Sequence, residues 1–225
     1  MSIIGNAIEK TAYTVSQKSR KHKFDQFFAL LAPTDQETIA DVGVNVVEYS
    51  DSDNYLERHY PHPEKITAVG TDDTTAFSDR YPNVRYVPAD GRKLPFNDDA
   101  FDIFHSNAVI EHVGSRQDQE AFVREAIRIA RRGFMTTPNR YFPIETHTRI
   151  PLLHLILPKR FFDAFLRLIG KGWATGTYMN LLSKRDVQAL FEASGVEDFV
   201  ILENRLFGIP MTFTAVWHKH SEPIR

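Results

Sequence analysis

An α/β fold built on a doubly wound, mostly parallel seven-stranded sheet, with helices on both faces and an antiparallel strand pair at the C-terminal end, is predicted by three observations. Short apolar runs alternate with polar segments of helical period between residues 38 and 137, which is the signature of strands joined by crossover helices. Most of those runs end in a small or acidic residue, as strands do where they enter a loop. Two further strand-like runs follow a last, well-capped helix.

Taken in order, Phe27, Phe28, Leu30 and Leu31 ahead of Pro33 predict a short amphipathic helix. Residues 1–23 before it are polar, carry the basic cluster Lys18, Arg20, Lys21 and Lys23, and read as a loosely held leader; without the apolar core of a signal peptide they suit a cytoplasmic protein. Residues 38–42, 66–70, 84–87, 101–105 and 133–137 are the first five strands, and 53–60, 74–81 and 116–131 the helices among them. The last helix sets Phe122, Ala126 and Ile129 on one face. After Pro138 the rhythm breaks. Residues 139–180 form an insertion rich in aromatic, His and basic residues, with a helix over 159–169. Ser183, three residues before Asp186, starts the next helix, whose stripe is Val187, Leu190 and Phe191 and whose stop is Gly195. Residues 199–203 and 212–217 close the sheet, so 24–225 form one domain with an insertion that serves as lid or interface.

Composition narrows the classes of function. With 225 residues and 42% hydrophobic side chains, the chain can bury a sizeable core. A net charge of −2 gives no global attraction to nucleic acid or to an anionic membrane. The absence of cysteine excludes disulfide scaffolds, thiolate metal sites and cysteine nucleophiles. The most apolar stretch, 150–158, is far shorter than the roughly 20 residues of a membrane span.

In a doubly wound sheet, ligands bind beyond the carboxyl ends of the strands, so the residues just after each strand are the candidates. The first strand runs into Asp41, Gly43 and Asn45, the second into Gly70, Asp72 and Asp73, the third into Asp90, Gly91 and Arg92, and the fourth into Asn107. Carboxylates accept from ribose hydroxyls or an adenine amine, and glycine admits a ligand close to the backbone; the same residues are also ordinary turn formers. Together they favour a nucleoside-containing cofactor.

The stretch VRYVPADGRKLPFNDDAFDIFHSNAVIEHV, a helix and then ARRGFMTTPN resembles the class I S-adenosylmethionine-dependent methyltransferases, in particular the methyltransferase type 11 group, over about residues 36–140. The resemblance implies S-adenosylmethionine as cofactor, Asp90 at the adenine amine, Gly91 and Arg92 flanking the ring, and Asn107 beside the methionine moiety. It gives Glu111 and His112 no uniform chemical role. Two positions depart from the pattern. The first loop has no second glycine after Gly43, and the usual second-strand acid is Gly70, which leaves Asp72 as the candidate for the ribose hydroxyls.

Methyl transfer from a sulfonium needs alignment more than acid or base, but a hydroxyl acceptor gains from a base, for which His112, Glu111 and His147 are the candidates. The acceptor class is a small molecule or saccharide, selected by insertion residues such as Arg140, Tyr141, Phe142, His147 and Arg149. Leu152, Leu153, Leu155, Ile156, Phe161, Phe162 and Phe165 are core or homodimer contacts, or, with Lys159, Arg160 and Arg167, a membrane-surface helix. Among the histidines, Glu111 with His112, Glu145 with His147, and His59 with His62 lack helical i, i+4 pairing or a third ligand at metal-site spacing, so no metal is expected. The altered first loop keeps a non-catalytic binding protein as the alternative. A nicotinamide oxidoreductase is weaker still, since the first turn lacks Gly-x-Gly-x-x-Gly.

Overall fold

The computed structural model describes residues 3–48, 50–72, 75–145, 147–176 and 179–219, with the backbone alone over 3–12. Its strands are β1 (Ile39–Val42), β2 (Ile66–Gly70), β3 (Arg85–Pro88), β4 (Phe101–Asn107), β5 (Ala130–Pro138), β6 (Asp198–Leu206) and β7 (Ile209–His218). Hydrogen bonding orders them β3-β2-β1-β4-β5-β7-β6 in one seven-stranded sheet. β1 to β5 are parallel, and β7 runs antiparallel to both β5 and β6. This is the expected doubly wound sheet with an antiparallel end.

β1 and β2 are buried along their whole length, as strands covered on both faces must be. Successive side chains divide between two cores. Ala40, Val42, Phe104, Met135, Ala215 and Trp217 face α4 (Arg116–Ile129) and α7 (Lys184–Ser194), while Ile39, Ile103, Phe134 and Val216 face Phe27 and Leu31 of α1 (Ile3–Leu31). α2 (Tyr55–His59) and α3 (Ala76–Arg80) add Leu56 and Phe77 to the second core. Ser115 and Ser183 each accept a hydrogen bond from the backbone N–H three residues on, and Asp118 and Asp186 bond back to the serine N–H, two complete capping boxes. Gly195 ends α7 at φ 80°, as its position predicts.

The tightest packing lies on β5. A Cβ built on Gly133 would stand 2.2 Å from two ring atoms of Trp217, a fully buried indole. Gly133→Ala should therefore cost about 3 kcal/mol through overpacking, lowering the melting temperature by roughly 6–12 °C for a chain of this size. An unchanged melting curve would show that Trp217 can move aside.

The N-terminal reading needs correction. Residues 3–31 are one continuous helix rather than a loose leader followed by a short helix. Its inner stripe is thin but anchored: Tyr13 donates to Asp51 (3.4 Å), Arg20 pairs with Asp53 (3.3 Å), and Phe24 packs against Phe28 and Tyr55. Met1 and Ser2 lie outside the described residues.

Between β5 and α7, the insertion holds α5 (Leu153–Ile156) and α6 (Lys159–Leu168), gathered on a small core of Phe162, Leu166, Ala174 and Met179. The apolar set expected to be core or contact divides residue by residue: Phe162 is buried, whereas Leu152, Leu155, Ile156 and Phe161 face outward. Among the described residues no helix is long and apolar enough to cross a membrane.

Candidate active site

The carboxyl ends of β1, β2 and β4, the segment after β3, and the inner face of α1 surround a cavity of about 590 Å³, within the roughly 300–1,000 Å³ of small-molecule sites. Asp41, Gly43, Asn45, Asp90, Gly91, Arg92, Asn107, His112 and His147 all line it. Glu111 sits behind His112, fully buried. Asp72 does not reach the cavity; its side chain is exposed and its carbonyl accepts the Tyr86 hydroxyl at 2.6 Å. The proposed ribose acid is thus displaced by the turn it sits in, and Gly70 and Thr71 line the cavity in its place. Asp73 lies outside the described residues.

The first loop shows how the missing second glycine is accommodated. Gly43 turns at φ 102°, and a Cβ there would stand 2.2 Å from Val109, so this glycine is irreplaceable. Beyond it the loop is held by a side chain. Asn54 Oδ1 accepts the Asn45 N–H (2.9 Å), and its Nδ2 donates to the Asn45 carbonyl (2.7 Å) and to Glu48 (3.0 Å). The Asn54 amide holds Val44 and Asn45 on the cavity wall without further glycines.

Two cations from α1 face the same space. Lys23 is 8% exposed and donates to Asn107 Oδ1 at 3.2 Å, an oxygen that also accepts from Thr136 Oγ1. Burial, with Arg20 nearby, pulls the Lys23 ammonium down to about 8. Arg20, paired with Asp53, lines the cavity beside it. Neither residue was a site candidate from the sequence, because they precede every strand.

Beneath them lies a buried acid pair. Asp41 and His105 are register partners on β1 and β4, with Nδ1 of His105 2.8 Å from Asp41 Oδ1. Burial pushes the Asp41 carboxyl up and the His105 imidazole down to about 4, so the neutral imidazole donates to the acid. Glu57 of α2, also buried, is driven far above the carboxylate range by burial and by Asp41; its oxygens have no hydrogen-bond partner among the described residues. Of the two acids, Glu57 is the one that burial and the neighbouring Asp41 favour most strongly in the protonated form.

At the opposite end, Asp90 is gripped by Arg92 through Nε and Nη2 (3.0 and 2.6 Å) and accepts the Arg92 N–H (2.9 Å). Those bonds hold its carboxyl below the usual range, ionised as an acceptor. Arg92 also reaches Asp118 of α4 at 2.9 Å. A Cβ at Gly91 would meet the Phe122 ring at 2.6 Å, so this segment stays flat against the core.

The third wall joins residues distant in sequence. His112 Nε2 lies 3.0 Å from His147 Nε2, and His147 Nδ1 lies 2.9 Å from Glu145 Oε1. Burial works against charge on His147, yet Glu145 and Glu111 outweigh it and raise its pKa. The cluster of Glu111, His112 and His147 revises the expectation that these histidines lack a third partner: the insertion supplies it by folding back on the turn after β4. Glu145 also borders a second cavity of about 730 Å³, lined by Arg116, Arg140, His154 and Lys159, so this wall separates the two spaces.

Residues 43–135 match the model of the methyltransferase domain family. No curated protein sequence matches the chain. Among solved structures, the fold resembles magnesium protoporphyrin IX methyltransferase from Synechocystis with bound S-adenosylhomocysteine, at TM-score 0.58 and 13% identity over 96% of this chain and 88% of that one. A methyltransferase from Methanosarcina mazei described as S-adenosylmethionine-dependent aligns at TM-score 0.55 and 13% identity over 82% and 92% of the two chains. A possible histamine N-methyltransferase from Thermotoga maritima aligns at 0.54 and 15% identity over 95% and 96%. The matched segment is thus similar to a methyltransferase domain, and the sheet around it has the fold of these solved methyltransferase structures.

Proposed function

We propose that the protein binds S-adenosylmethionine in the cavity at the strand ends and methylates a hydroxyl of a small, saccharide-type acceptor that enters between this cavity and the insertion. The observation that carries the reading is the chemical polarity of that cavity: an ionised acceptor, Asp90, at one end and two cations, Lys23 and Arg20, at the other. Adenosine and an amino-acid carboxylate need that polarity. Lys23 and Arg20 would hold the methionine carboxylate, Asp41 its ammonium, and Asp90 with Gly91 the adenine. The ribose rests on neutral groups, Asn45 and Thr71.

When bound, the cofactor supplies a methyl carbon already activated by the sulfonium, so the protein's part is alignment and exclusion of water. Asn107, fixed by Lys23 and Thr136, sets the floor beneath the reacting atoms. An acceptor oxygen would stand against the wall of His112 and His147, which would orient it toward the methyl group and take up the proton it loses. Arg140 and Lys159, bordering the second cavity, suit an acceptor carrying an anionic group.

Calorimetric titration with S-adenosylmethionine and S-adenosylhomocysteine tests the reading. Micromolar binding is expected, and Asp90→Ala should weaken it about 10- to 100-fold by removing a charge-assisted acceptor. Unchanged affinity would refute the placement of the adenine. No heat and no thermal stabilisation with either ligand at millimolar concentration would leave a non-catalytic protein of methyltransferase fold.

A further inference from the structure

We propose that Glu111, His112 and His147 form a binding site for one divalent first-row transition ion, opening into the cofactor cavity. The two Nε2 atoms converge at 3.0 Å, the span of two metal–nitrogen bonds of about 2.1 Å meeting at about 90°. Oε1 of Glu111 lies 3.9 and 3.8 Å from these nitrogens, so the three ligand atoms face one point. Two imidazoles and one carboxylate around one ion, with the positions above and below their plane open, suit a transition metal rather than calcium or magnesium.

A hydrogen bond between the imidazoles accounts for their separation but not for Glu111. That side chain is fully buried, and while Oε2 accepts from Thr137 Oγ1 at 3.0 Å, Oε1 has no hydrogen-bond partner among the described residues. A buried carboxylate oxygen without a partner is costly, and an ion at the histidines would satisfy it. The surroundings are those of a built site. A metal-bound imidazole usually gives its other ring N–H to a carboxylate, and His147 Nδ1 is 2.9 Å from Glu145 Oε1. Glu145 is fixed in turn by the N–H groups of His147 and Thr148, and the Glu111 carbonyl accepts the Asn180 N–H at 2.8 Å, tying the turn after β4 to the insertion. Since His112 and His147 line the cavity, the open positions would take an oxygen of the acceptor.

The role in methyl transfer rests on the function proposed above; the binding itself does not, and is measured without cofactor or acceptor. Full-length, tag-free protein stripped with chelator is titrated with Mn²⁺, Co²⁺ or Zn²⁺ alone, and bound metal is counted by elemental analysis. One equivalent of at least one ion with micromolar or tighter affinity is expected. Glu111→Gln and His147→Ala should each weaken it at least about 10-fold, and Glu145→Gln, a positioning residue, about 10-fold. If Glu111→Gln does not fold, as judged by circular dichroism, the double variant His112→Ala/His147→Ala decides. Substoichiometric binding, or affinity unchanged in that double variant, overturns the site. S-adenosylmethionine titrated separately keeps the two readings apart: metal without cofactor binding retains this site and removes the transferase reading, and cofactor without metal does the reverse.

Discussion

Lys23→Met should make the ligand-free protein more stable and the cofactor site far weaker. Lys23 carries its charge at pH 7 although it is buried and has one neutral oxygen as partner. The distance between the ordinary lysine value of 10.5 and about 8 is worth about 3 kcal/mol against the charged form. Methionine has nearly the same length and volume, fills the space and removes that cost. At roughly 2–4 °C per kcal/mol for a chain of this size, a rise in melting temperature of about 5 °C or more is expected. If Lys23 holds the methionine carboxylate as proposed, the ligand loses a buried cation, so S-adenosylhomocysteine affinity should fall about 30-fold or more. The sign with pH follows. Lys23 is held below its unfolded value, so its contribution to stability is present above about 10.5 and lost as pH falls through about 8. Wild type should therefore be the less stable protein at pH 7, and the gap should close as pH rises from 8 toward 10. A lowered melting temperature together with unchanged affinity would make Lys23 a packing residue and sink its role in the site.

That residue also shows where sequence reading stops. Period and punctuation located every strand and most helix ends, because burial on both faces and the two serine capping boxes leave local marks. The strand-end residues Asp41, Gly43, Asn45, Asp90, Gly91, Arg92 and Asn107 converge on one cavity because any doubly wound sheet gathers its carboxyl edges. What was illegible depends on pairings that no local pattern records. α1 presents Lys23 and Phe27 inward from a mostly polar segment, so its apolar stripe is too thin to announce a packed helix over its full length. Asp41 meets His105 only because β1 and β4 are neighbours in register, a fact of strand order. Asn54 replaces the second glycine of the first loop from nine residues away. His147 joins His112 across 35 residues, through the fold of the insertion. Asp72 lies off the cavity for the opposite reason: adjacency in sequence suggested a reach, whereas the turn carries its side chain outward and its carbonyl accepts the Tyr86 hydroxyl.

The same strand-order pairing carries the second large effect, a loss of stability as pH rises through neutrality that Glu57→Gln should abolish. Asp41 and Glu57 are both raised by burial, and each makes ionisation of the other harder. Acids raised in the folded state contribute stability that is full below their unfolded values near 4 and is lost as pH climbs through the folded values, about 7 for Asp41. Each proton held by the folded chain but not by the unfolded one costs about 1.4 kcal/mol per pH unit across that window. His105 runs the other way, since its lowered value makes stability fall as pH drops from 6.5 toward about 4. It therefore offsets one of the two acids below pH 6.5 and neither above, so the net decline should be steepest just above pH 6.5, up to the Asp41 value of about 7. Glutamine at position 57 keeps the shape of the side chain near Asp41 and has no proton to lose. The acid then ionises between an amide and the His105 N–H. The variant should match wild type near pH 5 and exceed it by about 1–3 kcal/mol at pH 8. Urea melts of both proteins at half-unit intervals check this, and parallel curves would mean that Glu57 does not hold the proton assigned to it. Because Asp41 lines the cavity and Glu57 is raised in part by Asp41, an ammonium group bound there would favour ionisation of the two acids. Titrating S-adenosylhomocysteine in buffers of different ionisation enthalpy at pH 7 should therefore show proton release in wild type that is absent from Glu57→Gln.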